Sequence, residues 1–253
     1  MARLTMFEPK ALTENQINLC EQTMSSNTFY MLVGNALVNS KPLSVVRMGD
    51  GERQLLHAAM QSPIHNQATI EEQADPIGWL KRMGCYGISN SELINRLGWA
   101  ADECSYFAPS ISGIQLDNFN LYDLFQPRTK YVDNFFCNAW TEEMKIQLFN
   151  TAKHVLFIHR NTSAADAMQI RAKYALDVKV TYIKLESWTQ SEEVIEKGSK
   201  IEAPLVLFSA GPASKYIGHR IATSGISKVS LDIGNAADYW LLNGLKDIPN
   251  GRR

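Results

Sequence analysis

The stretch PLVLFSAGPASKYIGHRIATSG, residues 204–225, decides the fold class. Leu205 to Phe208 run without a polar interruption, the pattern of a strand buried on both faces. Ser209-Ala210-Gly211-Pro212 then turns the chain, and Pro212 suits a first helical turn, where a missing N–H costs nothing. A helix over Ala213–Ser224 is predicted next, with Gly225 at the place of a C-terminal glycine cap. A buried strand passing through a short turn into a helix is the repeating unit of a parallel sheet.

The same unit recurs outward from this stretch. His154–His159 reads as a buried strand and Thr162–Leu176 as a helix. Val178–Leu185 alternates with β-branched enrichment and reads as a strand, Ser191–Lys200 as a Glu- and Lys-rich helix, and Val229–Ile233 as a last strand. The order β-α-β-α-β-α-β predicts an α/β class. It implies a Rossmann-like open, mostly parallel sheet with helices on both faces. Toward the N-terminus the chain is more helical. Thr13-Glu14-Asn15-Gln16 fits a capping box opening a helix to about Val38. Leu43–Met48 reads as a strand, Arg53–Met60 as a helix and Gln61–Thr69 as a loop. Ser89-Asn90-Ser91-Glu92 is a second capping box, opening a helix across Leu93–Cys104. No repeat or Pro/Gly-rich linker divides the chain, so residues 1–253 are expected to form one domain, with a mobile tail over 245–253.

The composition is that of a globular protein: 253 residues, 45% hydrophobic, 20% charged. That excludes a disordered tail, a collagen-like fibre and a small disulfide scaffold. The net charge of −1 argues against a broadly basic nucleic-acid surface. No apolar run approaches the ~20 residues of a spanning helix, and Met1–Met6 lacks a signal peptide's apolar stretch. Cys20, Cys85, Cys104 and Cys137 show no CxxC spacing, which removes zinc-site and disulfide-framework readings. A cytoplasmic protein is expected.

Three constellations could carry chemistry, each at a predicted strand end, where open α/β sheets bind ligands. RMGDGE, residues 47–52, places Asp50 and Glu52 two positions apart. Such carboxylates suit a hard divalent cation, Mg²⁺ or Mn²⁺, with Arg47 on a phosphate and Gly49 beside it. The same residues also fit an Asp-Gly turn with solvated charges. In the second, Ser209, Gly211 and Pro212 precede a helix start whose free N–H groups and dipole favour a diphosphate. Lys215, one turn in, adds charge, although an ordinary β-to-α connection has the same form. In the third, LDIGN at 231–235, Asp232 is an acidic residue in an apolar strand and needs a partner or a task. Asn235 follows at the strand end. Arg160, Asn161 and Lys184 end two further strands and are candidates for lining the same cleft. No G-x-x-x-x-G-K-[ST], G-x-G-x-x-G or G-x-S-x-G occurs.

Taken together, Arg47–Glu52, Ser209–Ala213 and Leu231–Asn235 resemble three ordered motifs of the GT-D-type glycosyltransferase family. These are its R-[FM]-G-D-G-E start, its late G-P strand-helix turn and its [AL]-D-I-G-[HN] segment. That family, long classed as a domain of unknown function, includes glucosyltransferases that extend glycans on bacterial serine-rich adhesins. The resemblance covers about Leu43 to Leu242. It implies a hexosyl- or pentosyltransferase moving a sugar from a nucleotide-diphosphate sugar, a UDP-sugar above all, to a hydroxyl acceptor. It also implies a divalent metal, Mn²⁺ or Mg²⁺, with Asp50 and Glu52 matching the family's D-x-E pair. Gly211 and Pro212 would then lie near the donor phosphates. Many members carry histidine where this chain has Asn235, which cannot act as a general base near neutral pH. Asp232, Asp238 or Glu186 would have to supply that role. The acceptor is expected to be a glycan or glycoprotein, with a hydroxylated DNA base as a second possibility through a groove of Lys81, Arg82, Arg128 and Lys130. The rival readings are a non-catalytic nucleotide- or phosphate-binding module of the same fold, and a phosphohydrolase or nucleotidyltransferase.

Overall fold

A computed structural model describes residues 21–49, 51, 52, 55, 56, 59, 85, 87–109, 130–160, 177–224, 226, 228–234, 236, 237 and 240. Eight strands form one sheet: β1 (Thr23–Met24), β2 (Leu43–Met48), β3 (Tyr106–Pro109), β4 (Lys130–Val132), β5 (His154–His159), β6 (Lys179–Lys184), β7 (Leu205–Ser209) and β8 (Val229–Asp232). Their spatial order is β1-β4-β3-β2-β8-β7-β5-β6, and every pairing is parallel. Five α-helices are described: α1 (Ser26–Val38), α2 (Asn90–Glu103), α3 (Glu142–Ala152), α4 (Ser191–Lys200) and α5 (Ala213–Ala222). The α/β class and open parallel sheet therefore stand as the sequence predicts.

Strand parity sorts the core into two layers. Successive side chains of a strand point to opposite faces. Val46, Met48, Phe107, Leu156, Ile158, Val206 and Phe208 pack with α2, α4 and α5 on one face. Val45, Tyr106, Val155, Phe157, Leu207 and Leu231 pack with α1 and α3 on the other. In β8, Val229 and Leu231 belong to the second layer, so Ser230 and Asp232 fall on the face of α5. Helix α5 comes close to the sheet there. A Cβ added at Gly218 would lie 2.9 Å from Ser230 Oγ and 3.2 Å from the Phe208 ring, a separation only glycine permits.

The chain's connections diverge at one place in the sheet. From β5 the chain goes to its neighbour β6 on one side, and from β7 to its neighbour β8 on the other. The crevice beyond the carboxyl ends of β5 and β7 is thus a topological switch point, the usual ligand position in open α/β sheets.

Several local expectations need adjustment. The helix expected to run from residue 13 to Val38 is interrupted. Thr23 and Met24 pair with Tyr131 and Val132, and Ser25 starts a fresh helix by accepting the Thr28 N–H at 3.2 Å. The second capping box holds, with Ser89 Oγ accepting from Glu92 N at 3.2 Å. Helix α5 ends at Ala222 with Thr223 at its C-cap, earlier than expected, and Gly225 lies outside the described residues. Strands β1, β3 and β4 and helix α3 were not anticipated. The three strands have two, four and three residues, too short for a periodic signal. The helix expected at 162–176, the loop at 61–69 and the tail at 245–253 lie outside the described residues. No described helix is long and apolar enough to cross a membrane.

Candidate active site

The carboxyl ends of β2, β7 and β8 and the first turn of α5 converge on a buried charge cluster. Lys215 Nζ lies 3.0 Å from Glu52 Oε1 and 2.8 Å from Asp232 Oδ2. All three side chains are at most 10% exposed. The second oxygen of each carboxylate takes a backbone N–H: Gly49 N donates to Glu52 Oε2 at 3.0 Å, and Gly234 N to Asp232 Oδ1 at 3.1 Å. Asp232 Oδ2 takes the Lys215 ammonium. The local reasons are simple. β7 and β8 are neighbours with Phe208 opposite Asp232, α5 follows β7 directly, and Lys215 lies in its first turn. Parity turns Asp232 toward that helix, so the buried carboxylate and the buried ammonium meet.

Burial by itself would push the Glu52 carboxyl up. The Lys215 ammonium and the Gly49 N–H outweigh it and hold the group below the ordinary glutamate value. Burial would likewise push the Lys215 ammonium down, but Asp232 and Glu52 outweigh it and hold its pKa above the ordinary value. The Lys215 ammonium and the Glu52 carboxylate are thus held as a charged pair at the edge where ligands bind.

A second arrangement stands beside the first. Arg47, half-buried at the end of β2, donates Nε–H to Asn134 Oδ1 at 2.7 Å, and its NH1 lies 3.7 Å from Cys137 Sγ. Asn134 is 4% exposed and donates Nδ2 to the Met48 carbonyl at 3.1 Å, so both ends of its amide are tied down. The guanidinium lies over Gly234, whose φ is +47°. A Cβ there would sit 3.0 Å from Arg47 NH1. Among the described residues no carboxylate lies within ion-pair distance of Arg47. A guanidinium held in this way at a sheet's carboxyl edge is suited to an anion. Asn134 was missed in the sequence because it follows β4, a three-residue strand that leaves no pattern.

The turn from β7 to α5 closes the group. Ser209 Oγ donates to the Gly234 carbonyl at 2.8 Å, tying the ends of β7 and β8 together. Gly211 adopts φ +69°, and its carbonyl accepts from Ser214 N at 3.1 Å and Ser214 Oγ at 2.6 Å. Pro212 stands at the N-cap of α5. Arg160 follows β5, whose His159 pairs with Ser209, so Arg160, Ser209 and Gly211 flank the switch-point crevice.

Of the residues expected from sequence, Arg47, Gly49, Glu52, Ser209, Gly211, Pro212, Lys215 and Asp232 come together, and Arg160 lies across the crevice. Lys184 does not join them. It ends the edge strand β6, 52% exposed, and pairs with Glu186. Asp50, Asn161, Asn235 and Asp238 lie outside the described residues, as do Lys81, Arg82 and Arg128 of the suggested groove. Lys130 begins β4, at the opposite end of that strand from this edge. Lys215, expected to add charge at the helix start, is enclosed between Glu52 and Asp232.

The described residues do not fit a divalent cation. Mg²⁺ and Ca²⁺ take oxygen ligands at ~2.0–2.6 Å, several at once. Here each carboxylate spends one oxygen on a backbone N–H and the other on Lys215. A cation placed ~3 Å from that ammonium would be repelled by roughly 5–6 kcal/mol per unit charge at an effective dielectric of about 20. Among the described residues no group of three or more His, Cys, Asp or Glu is arranged to hold a metal.

A family model for the GT-D fold-like domain matches residues 24–240. A solved structure of a selenomethionine-substituted domain of unknown function 1792 (DUF1792) superposes with a TM-score of 0.50. Its sequence is 14% identical, and the match covers 87% of this chain and 82% of that one. At that identity the likeness speaks for the fold alone. No curated protein matches the chain in sequence. With nearly the whole chain matched by the family model and the parallel sheet observed, the chain belongs to the GT-D fold-like family.

Proposed function

We propose that this protein is a glycosyltransferase that moves a sugar from a nucleotide-diphosphate sugar, a UDP-sugar in the first instance, to a hydroxyl acceptor. The observation that supports this most is the meeting of an anion-seeking edge with a buried charge cluster. Arg47 stands at the end of β2, Arg160 and the Ser209–Pro212 turn flank the switch point, and Glu52, Lys215 and Asp232 form the cluster at the ends of β2, β7 and β8. In this reading the α5 N-terminus, Gly211 and Arg47 hold the diphosphate, and Arg160 borders the nucleoside. The acceptor hydroxyl attacks the anomeric carbon, the bond from that carbon to the diphosphate oxygen breaks, and the nucleoside diphosphate leaves with the electron pair. The hydroxyl proton goes to a carboxylate. Asp238 lies outside the described residues and Glu186 is exposed and paired with Lys184. Asp232, at the carboxyl end of β8, is the proposed proton acceptor. The transfer of a hexose or a pentose, and an acceptor that is a glycan, a glycoprotein or a hydroxylated DNA base, are all compatible with this edge. A metal requirement would rest on Asp50.

Thermal unfolding against a panel of nucleotide sugars, with Mn²⁺, with Mg²⁺ and with chelator, tests the reading. A donor at 100 times its dissociation constant adds ~2.7 kcal/mol, a rise of about 5–10 °C at this chain length. Release of nucleoside diphosphate in the presence of acceptor then identifies transfer. Stabilisation by no donor would sink the proposal. Binding without transfer would favour the non-catalytic module, and phosphate release or nucleotidyl transfer the hydrolase and nucleotidyltransferase readings.

A further inference from the structure

We propose that Lys215 is the resident cation of this site: its ammonium fills the place between Glu52 and Asp232 where a divalent ion would bind, so neither carboxylate is a metal ligand in this protein. The inference rests on the transferase reading for its functional meaning but not for its test. Three features of the cluster carry it. The Nζ atom is within 3.0 Å of one oxygen from each carboxylate, and the Gly211 carbonyl adds a third oxygen at 3.4 Å. The remaining oxygens are fixed by Gly49 N and Gly234 N, so neither carboxylate can turn toward a new ligand without giving up a backbone hydrogen bond. The side chain is 7% exposed and sits in the first turn of α5, packed between that helix and the sheet, so it is part of the fold rather than a mobile surface arm.

The arrangement gives Lys215 a task in the proposed reaction. It keeps a fixed positive charge beneath the helix start at which the diphosphate is expected. That charge is supplied by the chain and is present before any ligand arrives, at no cost in reorganisation when negative charge develops on the leaving group. Lys215 acts through the two carboxylates and the α5 start that it positions, and is a positioning residue.

The test is Mn²⁺ binding to the full chain without donor, followed by the loss of the free-ion paramagnetic resonance signal. Four proteins are compared: the parent, Glu52→Gln, Lys215→Met and Lys215→Met with Glu52→Gln. The expected result is that Glu52→Gln leaves the Mn²⁺ affinity of the parent within twofold, whether that affinity is measurable or not. Lys215→Met gains at least tenfold in affinity, and adding Glu52→Gln removes the gain. A tenfold loss of Mn²⁺ affinity in Glu52→Gln alone would overturn the inference, and that comparison does not depend on Lys215→Met folding. Asp232→Asn in the parent repeats it from the other carboxylate. Donor turnover is assayed separately. Turnover with a Glu52-dependent Mn²⁺ site overturns this inference and leaves the transferase reading standing. The predicted gain in Lys215→Met with no turnover of any donor supports the inference and sinks the transferase reading.

Discussion

Replacing Lys215 by methionine keeps the length of the side chain and removes its charge. In the parent, the ammonium sits 3.0 Å from Glu52 and 2.8 Å from Asp232, with both carboxylates buried. At an effective dielectric of about 20 each contact is worth roughly 5–6 kcal/mol of gross attraction. Most of that is offset by the cost of taking the charges out of water. The substitution keeps that cost and removes the attraction, leaving two carboxylates facing each other with no counter-charge. Breaking a buried pair in this way costs ~3–5 kcal/mol. At about 2–4 °C per kcal/mol for a chain of this size, Lys215→Met should lower the Tm by ~6–20 °C at pH 7. The companion is the triple variant Lys215→Met, Glu52→Gln, Asp232→Asn, which removes all three charges and should recover at least half of the loss, because uncharged amides do not repel. Differential scanning calorimetry at fixed buffer and ionic strength reads both. If Lys215→Met unfolds within 2 °C of the parent, the ion pairs are not the organising feature of the site. If the triple variant is no better than the single one, lost packing rather than unpaired charge explains the damage.

Three further outcomes are expected. Asn134→Ala frees the Arg47 guanidinium from its 2.7 Å hydrogen bond and should weaken nucleotide-sugar binding about tenfold by calorimetric titration. Its loss of stability should stay within ~1–3 kcal/mol, and an unchanged donor affinity would remove Arg47 from the anion site. Lys228 is buried and caps α4 by donating to the Gly198 and Ser199 carbonyls at 2.7 and 3.1 Å. Lys228→Met leaves both without that donor and should cost ~1–3 kcal/mol in urea unfolding, with donor binding untouched. His219 is buried with Nδ1 3.0 Å from Ser44 Oγ and its ring against Trp99; burial holds its pKa below the ordinary 6.5, Arg220 lowers it further and Glu103 opposes. A depressed histidine binds fewer protons folded than unfolded, so stability should fall as pH drops from about 6.5 toward its folded value. His219→Gln should flatten that part of the pH–stability curve, and an unchanged slope would mean that other groups set it.

The legible parts of the fold were those with a strong local pattern. β2, β5, β7, β8 and α4 stand within a residue of the boundaries expected, because buried parallel strands read as apolar runs and a Glu/Lys-rich helix has clear ends. β1, β3 and β4 were invisible because each is held by its neighbours rather than by its own sequence. Thr23–Met24 is a strand only because Tyr131 and Val132 lie alongside. Asn134 was hidden for the same reason, since its role exists only once β4 lies beside β3 and β3 beside β2.

By itself, the sequence determined the α/β class, the strand-end positions of the three motifs, and the candidacy of Glu52, Asp232 and the Gly211–Pro212 turn. These follow from runs and spacings a few residues long. Only the tertiary structure decided what Lys215 does. Glu52, Lys215 and Asp232 come from segments 163 and 17 residues apart along the chain, and no local pattern encodes their meeting. It is set by which strands are neighbours, by the parity that turns Asp232 toward α5, and by the cost of burying any of the three charges alone.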